Sequence, residues 1–286
     1  MAHALTLTCL HPGGGTFVVD GGRPHRRALG VVRGGPADPR ARAAANDLLG
    51  QAADHPCLET TLTGGRWLLS GRGQLALTGS DMSWRLNGRV LETYTVVDVA
   101  GDGLLVSQPA RRGLRSYLAV AGDWQLPRAL GSAEAGWPGV PPVAPGWSVT
   151  VLAPRPVPYR TDLDVDRHLP PAPFVLPVGP GPEWSWLTPA QRDALLANVY
   201  RVSTASNRQG VRLTAPAAPP PELPSLISSP VLPGTVQLTP AGPVVLGPAA
   251  HTIGGYPRVL LVDGADALAA CFQVALGGTV RLALRG

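Results

Sequence analysis

The sequence predicts a mainly β protein, built as two tandem domains of the sandwich or barrel type with a few short helices. Three observations carry this. Short apolar or alternating runs follow one another closely, separated by Gly- and Asp-rich turns. Gly 35 and Pro 32 accompany 44% hydrophobic residues, which reads as frequent turns between buried strands rather than low complexity. The 286 residues are nearly two domains' worth at roughly 150 residues each, with one large β domain as the other arrangement the length allows.

The elements follow in order. "LTLTCL" (5–10) alternates as a half-buried strand does. "CLETTL", "RWLLS", "QLALTG", "MSWRLNG", "TYTVVDVA", "GLLVSQ" and "RSYLAVAG" continue the series. Two helices interrupt it. "DPRARAAANDLLG" offers Asp38 as N-cap, Pro39 at the first helical position, Ala41, Ala44, Ala45 and Leu48 at helical spacing, and Gly50 as a stop. "TPAQRDALLANVY" offers Thr188, Pro189 and Gln191, the pattern of a capping box. A weaker helix starts at Asp266. The proline- and charge-rich stretch after Ala153 reads as a linker, giving domains at 1–153 and 174–286 joined by 154–173. A second proline cluster, "APAAPPPELP" (215–224), reads as a surface loop. "RRGLR" (111–115) and "RQGVR" (208–212) form a faint repeat, one in each domain.

Composition excludes several functions. The net charge is +5, yet there is no lysine, and the 24 arginines are scattered without a run of five. With 5% aromatic residues and no RNA-binding signature, nucleic acid is not an expected partner. Cys9, Cys57 and Cys271 are far apart and form no CxxC, as expected of buried thiols in a reducing compartment. No apolar run approaches the ~18 residues of a membrane span, and the N-terminus lacks the features of a signal peptide. The expectation is a soluble cytoplasmic protein. The absence of lysine rules out a Walker A motif and a lysine Schiff base on this chain. There is no G-x-S-x-G elbow, no HExxH and no G-x-G-x-x-G, and the six histidines, His55 and His168 among them, have no metal-ligand spacing, so no metal is expected.

What remains are three polar clusters beside glycines. In the first, Asp20 and Arg23 flank Gly21-Gly22, and Gly34-Gly35 lead to the helix starting near Asp38 and carrying Asn46. A helix start preceded by glycines can hold an anion, but Asp38 can equally fill that position itself. The second, "VSTASNRQGVR", contains Ser203, Ser206, Asn207, Arg208 and Arg212, and is equally a hairpin with a polar turn. The third is "HTIGGYPR" (251–258), where Gly254-Gly255 permit positive φ and close backbone approach beside Thr252 and Tyr256. It is equally an ordinary Gly-Gly turn.

Together and in order, these segments resemble the C subunit of bacterial 5-oxoprolinase. The family is also known as KipA or allophanate hydrolase subunit 2, and is related to the carboxyltransferase part of urea carboxylase. The resemblance runs through "FVVDGGRP", "GVVRGGPAD", "ANDLLGQ", "LETTLTGG", "RRGLRSYLAVAGDWQLPRALGS", "YRVSTASNRQGVRL", "VLPGTVQLTPAGPVVL" and "HTIGGYPRV". It implies two tandem cyclophilin-like β-barrel domains. It also implies a subunit of an ATP-dependent lactam or amide hydrolase acting with a B (KipI-like) and an A subunit. ATP, alone or with Mg, would bind this chain or its partner. Carried over by position, Asp20, Asp38, Arg208 and Tyr256 would be catalytic. Arg23, Asn46, Ser203, Asn207, Arg212, Thr252, Gly254 and Gly255 would bind substrate.

The chain departs from the family pattern at polar positions. Val19 stands where the family has Gln, Asn207 where it has Asp, Gln209 for Met, Ala249 for Asp and His251 for Gln. Lost carboxylates change a site's charge balance directly. Two other functions therefore stay open: a non-catalytic, partner-binding homologue in the manner of KipA, or a carboxyltransferase-type subunit. In the latter any biotin would arrive on another protein, since this chain has no lysine to carry it.

Overall fold

In this computed structural model, residues 3–153, 169–215, 223–224 and 226–285 are described. Most of the expected linker and of the 215–224 loop, and His168, lie outside the described residues. The chain divides into two compact units, Met1–Arg23 with Asp38–Leu169, and Pro24–Ala37 with Pro170–Gly286.

The first unit is laid out around one long strand. Its elements are β1 (His3–His11), β2 (Thr16–Val19), α1 (Pro39–Leu48), β3 (Cys57–Thr61), β4 (Arg66–Asp81), β5 (Arg85–Leu86), β6 (Arg89–Val90), β7 (Val96–Ala100), β8 (Gly103–Val106), β9 (Arg112–Val120), β10 (Asp123–Trp124) and β11 (Ser148–Ala153). The sequence suggests two strands in 66–79. The structure has one, β4, because its glycines let it bend rather than break. Gly71 has φ +106°, and a Cβ there would lie 2.1 Å from the Ala4 carbonyl oxygen, so only glycine fits. Before this bend β4 pairs with β1 and β8; beyond it, with β7 and β9. The alternation of "LTLTCL" appears as Leu5, Leu7 and Cys9 fully buried, with Thr6 and Thr8 partly exposed on the other face. These pack with Trp67, Leu69, Leu118 and Val151 in the main core, where each buried Leu or Val contributes about 1.5–3 kcal/mol. The small residues of α1, Ala41, Ala44 and Ala45, let the helix lie close over Val19, Cys57, Ala76 and Tyr117.

The second unit is a closed barrel. Its elements are β12 (Phe174–Pro180), α2 (Pro189–Ala197), β13 (Val199–Val202), β14 (Gly210–Thr214), β15 (Ser229–Pro230), β16 (Thr235–Thr239), β17 (Gly242–Leu246), β18 (Ile253–Gly254), β19 (Arg258–Val262), α3 (Ala265–Cys271) and β20 (Thr279–Leu284). The barrel runs β12-β19-β16-β17-β14-β13-β20 and closes through the parallel β12–β20 pair. Closure removes the open edges of a sheet. Leu176, Val211, Val236, Val245, Val259 and Val280 fill it with Phe272. The capping box of α2 is present: Gln191 N donates to Thr188 Oγ1 at 3.3 Å, and Thr188 N to Gln191 Oε1 at 2.8 Å. β15 and β18 form a separate two-stranded ribbon.

Residues 24–37 fall within the expected N-terminal span, yet they group with the second unit. Their polar groups find partners there. Gly34 N donates to Pro248 O at 3.1 Å, Arg208 donates to Gly35 O at 2.7 Å, and Ala37 joins the barrel core. The mainly β class expected from the sequence is what the chain adopts.

Candidate functional site

In the first unit, the cluster nominated from the sequence is tied into the structure. Asp20 is 4% exposed. It accepts from Gly22 N at 2.8 Å, Ser132 Oγ at 2.7 Å and Ala133 N at 2.8 Å, with Arg128 at 3.3 Å. Arg23 donates to Ala129 O and Glu134 O and lies over the Trp137 ring. Its burial pulls the guanidinium pKa below the ordinary value. Asp38 caps α1 itself, accepting from Arg40 N and Ala41 N. Its own backbone N–H donates to Tyr117 Oη, which in turn donates to Glu59. The buried Asn46 amide donates to His55 O at 3.0 Å and accepts from Gln51. These side chains fasten loops and a helix end.

The second unit brings the other two clusters together. The carboxamide of Asn207 accepts from Gln209 N at 2.8 Å and Gly210 N at 3.3 Å, which folds "SNRQG" into a tight turn at the head of β14. "HTIGGYPR" forms the return of the ribbon. Val231 N donates to Thr252 O at 3.0 Å beside the β15–β18 pair. Arg258 fixes its end. The guanidinium and backbone N–H of Arg258 donate to Glu183 at 2.6–2.9 Å, and Nη1 donates to Pro230 O at 2.9 Å. Hydrogen bonding from the Arg258 side chain, first of all, holds the Glu183 carboxyl below its ordinary pKa. Arg27 holds the start of "HTIGGYPR", donating to the carbonyls of Val231 and His251.

Between turn and ribbon lies a cleft of ≈ 140 Å³. Asn207, Gln209, Arg212, Gln237, His251 and Tyr256 give its polar lining, and Val244 and Leu246 an apolar wall. Arg212 and Tyr256 are exposed, whereas Gln237 is 2% exposed and donates to Tyr256 O at 3.2 Å. No carboxylate is among the cleft's described lining residues. The arrangement is a cation, a phenol, an imidazole and a buried amide around a small space, suited to a small anionic molecule with a planar polar group.

Ser203, Arg208, Thr252, Gly254 and Gly255 are not among the cleft-lining residues. The glycines correct one expectation. Neither has positive φ. Gly254 is closely approached instead: a Cβ there would lie 2.6 Å from Gln237 Nε2 and 2.9 Å from His251 Nε2, so a larger residue would push both side-chain ends aside. Gln237 and Arg27 were missed by sequence reasoning. In "TVQLT" a lone amide between apolar neighbours was the available signal for Gln237; nothing local marked Arg27 among the arginines of "RPHRR".

A family model described as the carboxyltransferase domain, subdomain A and B, matches residues 29–284. The chain belongs to this carboxyltransferase family. Its relatives include the C subunit of 5-oxoprolinase from Escherichia coli K12, to which it is 31% identical over 290 residues, covering 91% of this chain and 85% of that protein. It is 28% identical to the Haemophilus influenzae protein of the same name, covering 92% and 86%. Among solved structures, TTHA0988 matches with TM-score 0.83 and 32% identity over 97% of this chain, which spans 55% of that one. The K. lactis urea amidolyase matches with TM-score 0.85 over 98% of this chain and 19% of the other; at 22% identity this likeness concerns the fold alone.

Proposed function

We propose that this chain is a subunit of an ATP-dependent lactam or amide hydrolase of the 5-oxoprolinase type, acting with a B (KipI-like) and an A subunit. In this reading the second-unit cleft binds the small substrate. The observation that carries it is the convergence of two sequence-distant clusters, through Arg212 on one side and His251 and Tyr256 on the other. Arg212 would hold the carboxylate of a 5-oxoproline-like molecule by charge-assisted hydrogen bonds. Tyr256 and His251 would donate to the lactam oxygen, where charge develops as the ring opens. Gln237 would orient the loop and meet the lactam amide.

A whole nucleotide does not suit this cleft. At ≈ 140 Å³ it lies below the roughly 300–1,000 Å³ of pockets for drug-sized ligands. In this reading the cleft takes the small substrate, and ATP binds elsewhere in the assembly.

A second reading has its own support. The cleft offers binding groups but no carboxylate among its described lining residues, and Asp20 and Asp38 are engaged in structural hydrogen bonds. That favours a chain that binds a ligand or partner without catalysing the reaction itself. Phosphate release by the chain mixed with its A and B partners, with and without 5-oxoproline, separates the readings. Substrate-dependent release that needs this chain supports the first. A stable complex without stimulation supports the second.

A further inference from the structure

Gln237 sits in the middle of β16, between Val236 and Leu238. Those two belong to the barrel core with Val211, Leu213 and Val245, so strand alternation turns Gln237, Arg212 and Val244 to the opposite face. The ladder sets these three side by side. Gln237 pairs with Val244 on β17, and Val244 pairs with Arg212 on β14. One row across three strands thus carries a carboxamide, an apolar floor and a guanidinium, the outer two about 10 Å apart at the backbone. All three line the cleft of ≈ 140 Å³.

The two ends of the row differ in what they offer. Arg212 is exposed and brings charge. Gln237 is 2% exposed. Its Nε2 donates to Tyr256 O at 3.2 Å, which fixes the end of the amide that faces the loop. Nε2 also packs against Gly254, where even a Cβ would come within 2.6 Å of it. Oε1 is the end left over. It accepts no hydrogen bond among the described residues, yet it is not one of the enclosed atoms that lack a partner. An amide oxygen on so buried a side chain normally has a donor, because leaving it unpaired costs stability. The cleft that Gln237 lines is where a donor can reach it.

Given the reading of this cleft as the substrate site, on which this rests, we propose that Gln237 sets its selectivity. Gln237 Oε1 accepts from a ring N–H, so the cleft takes small carboxylated lactams with an unsubstituted nitrogen and rejects the matching lactones. With the ligand's carboxylate on Arg212 and its ring over Val244, the nitrogen edge of the ring meets Gln237. A lactam N–H there supplies the missing donor. A lactone puts its ring oxygen in the same place, and two acceptors then face each other away from water. An N-methyl lactam fills the place with a methyl group and likewise leaves Oε1 unpaired.

The test is calorimetric titration of the full chain, alone and assembled with its A and B partners. The ligands are 5-oxoproline, the lactone with the same ring size and carboxylate, and N-methyl-5-oxoproline. Wild type, Gln237→Met and Arg212→Ala are compared. Wild type should bind 5-oxoproline at least about tenfold more tightly than either analogue. Gln237→Met, of similar volume, should weaken 5-oxoproline and bring the three ligands within about threefold of one another. Arg212→Ala should weaken 5-oxoproline and the lactone alike. If wild type binds the lactone as tightly as 5-oxoproline while Arg212→Ala weakens both, the role of Gln237 is overturned and the cleft stands as the substrate site. Full selectivity in Gln237→Met overturns that role as well. Unchanged binding in Arg212→Ala, or no binding of any ligand in either form, overturns the cleft reading and the selectivity with it. Should Gln237→Met fail to fold, the lactam-to-lactone ratio of wild type decides.

Discussion

Glu183→Gln tests how the ribbon of the cleft is held. Glu183 is 6% exposed and accepts three hydrogen bonds from Arg258, at 2.6, 2.8 and 2.9 Å. Arg258 also donates to Pro230 O, so the pair ties the loop after β12 to both strands of the ribbon side. Removing one partner of a buried ion pair costs about 3–5 kcal/mol. The Arg258 side chain is 19% exposed, and the Gln amide keeps part of the bonding, which brings the expected loss to about 2–3 kcal/mol. At roughly 2–4 °C per kcal/mol, Tm should fall by about 8 °C. Trp184 and Trp186 adjoin Glu183 and provide a fluorescence signal for unfolding. The pH dependence has a definite sign. The folded pKa of Glu183 is lowered, so its stabilisation is present above the unfolded value, near 4.5, and is lost as pH falls through the folded value. Glu183→Gln should therefore lose most stability above that window and approach wild type in acid. A variant within about 1 °C of wild type at neutral pH, with an unchanged acid limb, would mean that the Glu183–Arg258 pair does not hold the ribbon.

Other substitutions probe other links. Gly71→Ala should destabilise the first unit by about 2 kcal/mol or more, measured by urea unfolding, because φ is +106° and the added methyl meets backbone at 2.1 Å. Gly254→Ala should cost little stability, since its methyl meets only the ends of Gln237 and His251; displacing both should still weaken ligand binding several-fold by calorimetry. Asp20→Ala should lower stability by about 3 kcal/mol in a denaturant titration, because it leaves several buried donors without an acceptor.

Much of the fold could be read locally. The alternation in "LTLTCL", the Asp38 cap with Pro39, and the Thr188–Gln191 box each depend on near neighbours, and each appears as expected. Other features depend on distant contacts. β4 bends at Gly71, where the approach of the Ala4 carbonyl leaves room only for glycine, and residues 24–37 group with the second unit because Pro248, Arg208 and Val231 supply partners far along the chain. The site followed the same rule. The polar residues of "SNRQGVR" and "HTIGGYPR" were visible in the sequence, but only barrel closure shows that Arg212 and Tyr256 share a cleft with Gln237. Local sequence also could not separate Asp20 and Arg23, whose donors and acceptors are used up near residues 129–134, from residues open to a ligand.

In the proposed function, the second-unit cleft binds the substrate of a 5-oxoprolinase-type assembly. The most direct measurement is substrate-dependent phosphate release by the three mixed proteins, with this chain as wild type or as Arg212→Ala combined with Tyr256→Phe. Complex formation is followed in parallel by gel filtration. A fall of at least about tenfold is expected, from loss of a charge-assisted contact and a hydroxyl donor, with the complex intact. Unchanged substrate-dependent release from an intact complex would contradict it.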